Sequence, residues 1–452
     1  MAYTAQSLAT IIKSYDVRGL VGSEITEEFC RDIGIAFANL VAADEIVVGF
    51  DMRPTSENLV QSFSEGVRAT GTNVVNIGLA ATDQLYFATG RLNIPGAMFT
   101  ASHNPAQYHG IKFARAGASP IGATSGLERI REALISNELP VATHQGSERR
   151  IDLLEEYGQH LRSLVDCSKI RRLKIVIDAG NGMAGHTVPK VLGPLNLEII
   201  PMYFELDGTF PNHEANPLDS STLRDLQKRV VAEKADLGLA FDGDADRCFL
   251  VDESGRLVDP SLLTALIAES ELEKVPGSTI IYSLISSRVV PEVIQRCGGI
   301  PSRSRVGHSF IKAQMAETGA IFGGEHSGHF YFRDFWNADS GMLAALYALA
   351  ALGNSHERTN FSSIIDKYRK YSGSGEINSR INDGAEAMAR IEGHFSERGQ
   401  IDRLDGLTIT SGKWWLNVRP SNTEPLLRLN VEADSDEIMC AIRDEALEVI
   451  GR

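Results

Sequence analysis

Cysteine is scarce in this chain: five residues among 452, Cys30, Cys167, Cys248, Cys297 and Cys440, all far apart and with no C-x-x-C pair. Neither a disulfide framework nor a zinc knuckle can be built from that spacing. Long apolar runs are missing too. The longest, Met342 to Leu352, has 11 residues, against the ~20 that a membrane-spanning helix needs, and the first twenty residues lack a basic segment leading into an apolar core. The expectation is a soluble, reduced, cytoplasmic protein. Positive charge is in deficit, with 44 Lys and Arg against 59 Asp and Glu and a net charge of −15. A surface of that sign repels a phosphate backbone, so nucleic acid and membrane drop out as partners, and any phosphorylated ligand must be small and locally gripped. Compositional bias is also absent: 43% hydrophobic and 23% charged, with 41 Gly and 16 Pro, is globular.

What the chain does contain is a repeated plan, in a length that suggests about three domains at roughly 150 residues each. A short apolar strand, a helix-period segment, a strand, a second helix and a third strand lead into a polar loop, which is α/β grammar. The first copy runs from Ile46 to Phe99 and closes with Thr100-Ala101-Ser102-His103-Asn104-Pro105. The second runs from Lys174 to Phe241 and closes with Asp242-Gly243-Asp244-Ala245-Asp246-Arg247. The third starts at Thr279 and closes with Gly324-Glu325-His326-Ser327-Gly328-His329. After about Lys370 the pattern changes to a helix over 383–394, strands near 407–409, 414–418 and 426–431, and a closing helix from Ser435. Ala142 to Arg149 and Ser372-Gly373-Ser374-Gly375 are expected to be linkers, the second a flexible one, with Ser254-Gly255 a turn near the middle boundary.

The loops carry the chemistry. Asp242, Asp244 and Asp246 alternate after an apolar strand, so three carboxylates converge and repel unless a hard divalent cation sits among them. Glu253 falls where an EF-hand would place its last ligand, but Arg247 stands at the position of the required Gly and both flanks read as strands. Gly180-Asn181-Gly182-Met183-Ala184-Gly185, with Glu205 twenty residues on, matches the dinucleotide fingerprint, a pattern any tight strand-to-helix turn can also produce. Pro105 keeps Asn104 out of the helical region and so presents Ser102 on an extended loop. Lys112, between Ile111 and Phe113, reads as a desolvated amine with a lowered pKa, able to move protons. Arg419-Pro420-Ser421-Asn422-Thr423, with Arg428 on the next strand, is a dense set of phosphate-oxygen donors. Tyr15-Asp16-Val17-Arg18-Gly19 and Asp51-Met52-Arg53 add cations near the first strand, with surface salt bridges as the plain alternative. Glu325, Ser327 and His329 could present hydrogen-bonding groups to sugar hydroxyls.

Together, and in this order, the four loops at 100–105, 242–247, 324–329 and 419–425 resemble the signature loops of the α-D-phosphohexomutase family, in its phosphomannomutase/phosphoglucomutase branch. The resemblance implies an α/β fold of three similar domains with mixed sheets plus a smaller C-terminal α+β domain around a central cleft. Domain limits are expected at 1–148, 149–253, 254–370 and 371–452. It also implies that Ser102 is a phosphoserine, that Asp242, Asp244 and Asp246 hold Mg²⁺ with a phosphate oxygen of that serine, and that Glu325 and Ser327 bind the sugar. Arg419, Ser421, Asn422 and Thr423, with Arg428 and Tyr15, would grip the substrate. Lys112 and His329 become candidates for proton transfer, supported by Arg18, His103, His308 and Arg247. The implied reaction is a mannose 1-phosphate to mannose 6-phosphate interconversion through hexose 1,6-bisphosphate, which also serves as activator, feeding activated mannose (GDP-mannose). Glucose and glucosamine phosphates are the alternatives, and oligomeric state is open. A nicotinamide-dependent oxidoreductase built on Gly180 to Gly185 is the rival from another class; a silent sugar-phosphate binder is a third. One departure stands out: Leu284-Ile285-Ser286-Ser287-Arg288 occupies a segment where the branch often has a basic sugar contact. His326, commonly Met in some relatives, is another.

Overall fold

The computed structural model describes residues 3–381, 383–420 and 426–451, and of His308 the backbone alone. Four sheets follow one another along the chain. In the first, strands Glu45–Phe50, Asn73–Leu79 and Gly96–Phe99 run parallel, and Tyr108–Ala114 returns antiparallel beside the last of them. The second repeats this with Leu173–Asp178, Leu197–Met202 and Leu237–Phe241 parallel and Cys248–Asp252 antiparallel. The third has Thr279–Ser283, Ile300–Ser304 and Phe322–Gly324 parallel and Phe330–Phe332 antiparallel. Their central strands are β-branched and buried on both faces, as helices on either side of a parallel sheet require. In all three, the chemistry-bearing loop leaves the C-terminal end of the last parallel strand, the place where α/β sheets present ligand-binding groups.

The fourth sheet is wholly antiparallel, in the order Ser372–Arg380, Leu426–Ala433, Trp414–Pro420, Leu407–Thr410, Gln400–Asp402. Its strands alternate. Leu416, Val418, Leu427, Leu429 and Val431 pack under helices Gly384–Phe395 and Asp436–Gly451. Trp415, Asn417, Arg419, Arg428, Asn430 and Glu432 occupy the opposite, polar face, where the period-2 geometry of a strand places them.

Two expected linkers are structured. Ala142 to Arg149 zips along the first domain: the Ala142 amide donates to the Ala69 carbonyl and Gly146 to Arg68, and Glu148–Arg150 forms the parallel edge strand of that sheet. That strand straddles the limit expected at 148. Ser372 to Gly375 is not a free hinge but the start of an edge strand, with a bulge between Gly373 and Glu376 and the Ser374 hydroxyl accepting from the Val431 amide. Ser254-Gly255 is a turn, closing the hairpin of Cys248–Asp252 with Leu257–Val258, so the second sheet extends past residue 254.

Helix Gly341–Gly353 is apolar on all sides and lies buried in a hydrophobic cluster fed by the first three domains, including Leu85 and Phe87, Tyr157 and Leu161, and Phe330 and Leu346. The fourth domain has its own separate core. No helix among the described residues is long and apolar enough to cross a membrane.

Candidate active site

The serine loop is held by its backbone. Ser102 adopts φ +50 and its amide donates to Thr100 Oγ1 at 2.9 Å. Beneath it lies Arg53, one of the cations expected near the first strand, and it is buried, which rules out the plain alternative of a surface salt bridge. Its guanidinium pairs with Asp51 at 3.2 Å and donates to the carbonyls of Ser102, Asn104, Pro105 and Tyr108 at 2.7 to 3.0 Å. A planar fork with five donors can tie four carbonyls at once; a lysine cannot. Arg18 steadies the loop from the other side, donating to Asn104 Oδ1 and Asp16 Oδ2, each at 2.5 Å. His103 Nδ1 lies 3.2 Å from Ser102 Oγ, and burial together with Arg247 and Arg18 holds its imidazole well below the usual range.

Ser102 Oγ donates to Asp242 Oδ2 at 2.9 Å, so the serine of the first domain meets the aspartate loop of the second. Asp242, Asp244 and Asp246 are buried, and one oxygen from each lies within 4.8 Å of the others. Arg247 binds Asp242 through Nε at 2.8 Å; Lys112 Nζ sits 2.6 Å from both Asp244 and Asp246; Thr82 donates to Asp244 at 2.6 Å. Burial, opposed by Arg247 and reinforced by Asp246 and Asp244, pushes the Asp242 carboxyl up to about 8. Burial would raise Asp244 as well, but Lys112 and Thr82 hold it well below the carboxylate range. Lys112 itself is moved up: desolvation lowers it, yet two adjacent carboxylates outweigh that, which corrects the lowered value expected from its apolar flanks. Asp244 Oδ1 and Asp246 Oδ1 are buried without a hydrogen-bond partner among the described residues. Three converging carboxylates with unspent lone pairs fit a hard divalent cation. Glu253 points elsewhere, accepting from the Ser362 amide and hydroxyl, and strands flank the loop, so this is no EF-hand.

The glycine-rich decoy supports this loop. A Cβ on Gly182 would lie 2.6 Å from the Gly243 carbonyl oxygen and one on Gly185 2.2 Å from that of Phe204, and the Met183 amide donates to Gly243 at 2.9 Å. The close approach that a pyrophosphate would need is taken by the chain's own backbone.

From the third domain, Glu325 accepts from the Gly307 amide at 2.9 Å and the Tyr331 hydroxyl at 2.5 Å. Ser327 Oγ lies 3.0 Å from His329 Nδ1, and His329 Nε2 is 3.6 Å from Asp246 and 3.9 Å from Asp339. Tyr15 stands edge-on to Phe310 at 6.1 Å, one turn into helix His308–Thr318. From the fourth domain, buried Arg419 pairs with Glu376 at 2.6 Å, and Arg428 reaches the other oxygen of the same carboxylate at 3.5 Å. Burial lowers the Arg419 guanidinium, and Glu376 first, then Asp405 and Glu325, act against that. Ser421, Asn422 and Thr423 lie outside the described residues, as does the His308 side chain. The structure thus brings together Arg18, Ser102, His103, Lys112, the aspartate trio and Arg247 with His329, which also lies 3.7 Å from Glu325, while Arg419 and Arg428 sit together on the fourth domain's sheet.

Profiles of the four phosphoglucomutase/phosphomannomutase domains match in order: the alpha/beta/alpha domains I, II and III at residues 9–139, 155–255 and 259–371, and the C-terminal domain at 376–449. The chain belongs to the phosphoglucomutase/phosphomannomutase family. It is 39% identical to a phosphomannomutase of Salmonella montevideo, over 98% of this chain and 99% of that one, and 38% identical to a protein of Xanthomonas campestris named phosphohexose mutases, over 97% and 98%. A crystal structure of a phosphoglucomutase/phosphomannomutase family protein from Burkholderia thailandensis superposes with a TM-score of 0.90 at 29% identity, covering 99% of this chain and 98% of that one.

Within this family fold, some residues that order the site left no legible mark. Asp83 of the first domain accepts from Tyr157 of the second at 2.7 Å and from Ser340 of the third at 2.6 Å, one residue from the Thr82 that binds Asp244. Lys312 is buried against Asp339 at 2.5 Å and over the Tyr86 ring at 4.0 Å; a lysine directly after Phe310-Ile311 was its one signal. Arg288, at the departure noted in the third domain, turns away from the sugar loop: it donates to Glu432 and Asp434 of the fourth domain at 3.1 and 2.9 Å and stacks on Tyr371 at 4.1 Å.

Proposed function

We propose that this chain is a phosphomannomutase that interconverts mannose 1-phosphate and mannose 6-phosphate, accepts the glucose phosphates as well, and works through phospho-Ser102 and a hexose 1,6-bisphosphate. The observation that carries this reading is the 2.9 Å contact of Ser102 Oγ with Asp242 inside the buried aspartate trio, which joins a nucleophile of one domain to a cation site of another. The relatives named phosphomannomutase and phosphohexose mutases support the same substrate class.

Asp242, Asp244 and Asp246, with a phosphate oxygen on Ser102, would hold Mg²⁺; when bound, it neutralises charge on the transferring phosphoryl group. Arg419 and Arg428, together with Ser421, Asn422 and Thr423, grip the phosphate that does not react, and Glu325 and Ser327 hold sugar hydroxyls. Phospho-Ser102 passes its phosphoryl group to the free hydroxyl of the sugar, whose proton leaves to His329, while Lys112, which its two carboxylates keep charged, offsets the negative charge left on Ser102 Oγ. The bisphosphate turns end for end. Ser102 Oγ then takes the other phosphoryl group while His329 returns the proton to the sugar oxygen. His103, held neutral, and Arg18 and Arg247 shape the loop around this exchange, and Tyr15 and His308 are assigned to substrate binding. Cytoplasmic location and a place before nucleotide-activated mannose are part of the same reading.

The test is conversion of mannose 1-phosphate and glucose 1-phosphate to their 6-phosphates, with Mg²⁺ and a trace of glucose 1,6-bisphosphate. Ser102→Ala should lower turnover by about a thousandfold or more. No turnover of either sugar by folded wild type sinks the reading for these substrates, and faster turnover of glucosamine phosphate redirects it.

A further inference from the structure

The arginine pair of the fourth domain already holds an anion of its own. Glu376 Oε2 is 2.6 Å from Arg419 Nη2, and Glu376 Oε1 is 3.5 Å from Arg428 Nη1, so one carboxylate is shared between two guanidinium groups in the manner of a phosphate. The three side chains are neighbours on the polar face of the sheet: Arg419 stands opposite Arg428 in register, and Glu376 lies on the adjoining edge strand, just after the bulge that begins at Gly373. Glu376 is half-buried and Arg419 is nearly fully buried. Burial lowers the Arg419 guanidinium and Glu376 raises it, which makes the carboxylate the main local support for that charge.

We propose that Glu376 is an affinity-setting residue of the phosphate anchor: a built-in counter-anion that weakens the hold of Arg419 and Arg428 on the substrate's phosphate so that the bisphosphate can let go and turn. The inference rests on the reading of those arginines as the anchor. Its logic is charge arithmetic. Two arginines and one carboxylate carry one net positive charge, so an incoming dianionic phosphate meets a repelling carboxylate within the same cluster. A mutase needs this more than most enzymes, because its anchor must release the intermediate once in every cycle. An anchor without Glu376 would bind phosphate esters tightly and turn them slowly.

Glu376→Gln keeps the shape and removes the charge. The expected result is a KM for mannose 1-phosphate lowered by about three- to tenfold, the size of one screened like-charge contact removed, with kcat lowered as well. Glu376→Asp, which keeps the charge, should restore values near wild type. A residue that merely propped up the arginines would act with the opposite sign, raising KM, and that outcome overturns the proposal, as does no change. Binding of inorganic phosphate to both proteins by calorimetry gives a reading free of turnover: tighter binding to Glu376→Gln supports the proposal even if hexose phosphates prove not to be substrates, and equal, weaker or absent binding overturns it even if the mutase reaction is confirmed.

Discussion

Around Ser102 charges from three domains meet in one largely buried cluster, whereas around Arg419 the charges lie together on one face of a single sheet, sharing one carboxylate. At the first end, Lys112 and Ser102 come from one domain, the aspartate trio and Arg247 from the next, and His329 from a third. At the other end, Glu376, Arg419 and Arg428 all belong to the last domain, and its contacts to the third are a few polar bonds and the small apolar patch of Leu284, Ile285 and Trp415. The difference follows from what each end must do. Phosphoryl transfer needs dipoles and charges fixed in advance in a dry site, while an anchor that accepts either end of a turning sugar needs donors that can be left and regained.

The sharpest way to break this comparison is to uncouple the buried end. Asp244→Asn keeps the side-chain shape but removes a charge that Lys112 and Thr82 both engage. Turnover should fall by about a hundredfold or more at saturating substrate, with an apparent requirement for more Mg²⁺; a variant within about threefold of wild type across an Mg²⁺ titration would show that the interlocked charges are not needed in advance.

A second measurement asks what the cross-domain ties cost. Burial pushes the Asp83 carboxyl up to about 7, against the pull of its hydrogen bonds from Ser340 and Tyr157. In the unfolded chain the same group titrates near ~4. Between those values the folded protein keeps a proton that the unfolded chain has lost, so this group's contribution is full below about pH 4 and declines as pH rises through about 7. Asp83→Asn should flatten the fall of the unfolding midpoint between about pH 4 and 7; an unchanged slope would remove Asp83 from the account.

The smallest effect is expected at the domain seam. Arg288 is partly exposed, Asp434 is solvated, and buried Glu432 keeps bonds from Trp415 Nε1 and the residue-288 amide, so Arg288→Ala should cost about 1–2 kcal/mol and change turnover by under about threefold. A large loss of activity by the same variant would mean that the seam positions the anchor as rigidly as the buried ties position the serine.

The loops of the cleft were legible because their chemistry forces unusual composition: three aspartates in five residues, or an arginine beside two hydroxyls, have few other uses. The positions of the strands leading into those loops followed from short hydrophobic runs. What escaped detection was fixed by partners distant in the chain. Arg53 looks like half of a surface pair until four carbonyls of 102–108 fold over it, and Thr82 has no signal at all because its partner is Asp244. Lys112 was assigned the wrong direction of shift since its flanks are apolar and its carboxylates come from another domain. Ser372 to Gly375 reads as a linker by propensity, but pairing with Leu426–Ala433 decides its state, as edge strands often show.

The helix Gly341–Gly353 has a consequence for how the protein is made. Its all-round apolar surface completes a cluster whose other walls are contributed by residues from Val47 onward. During synthesis the first and second domains therefore leave the ribosome with part of their core open to water, and stay so until about two hundred and about one hundred further residues, respectively, have been added. At about 5–20 residues per second, that is many seconds of exposed hydrophobic surface. Fragments ending before residue 341 should be sticky and dependent on chaperones, while the fourth domain, with a core of its own, should be the piece that can be made alone.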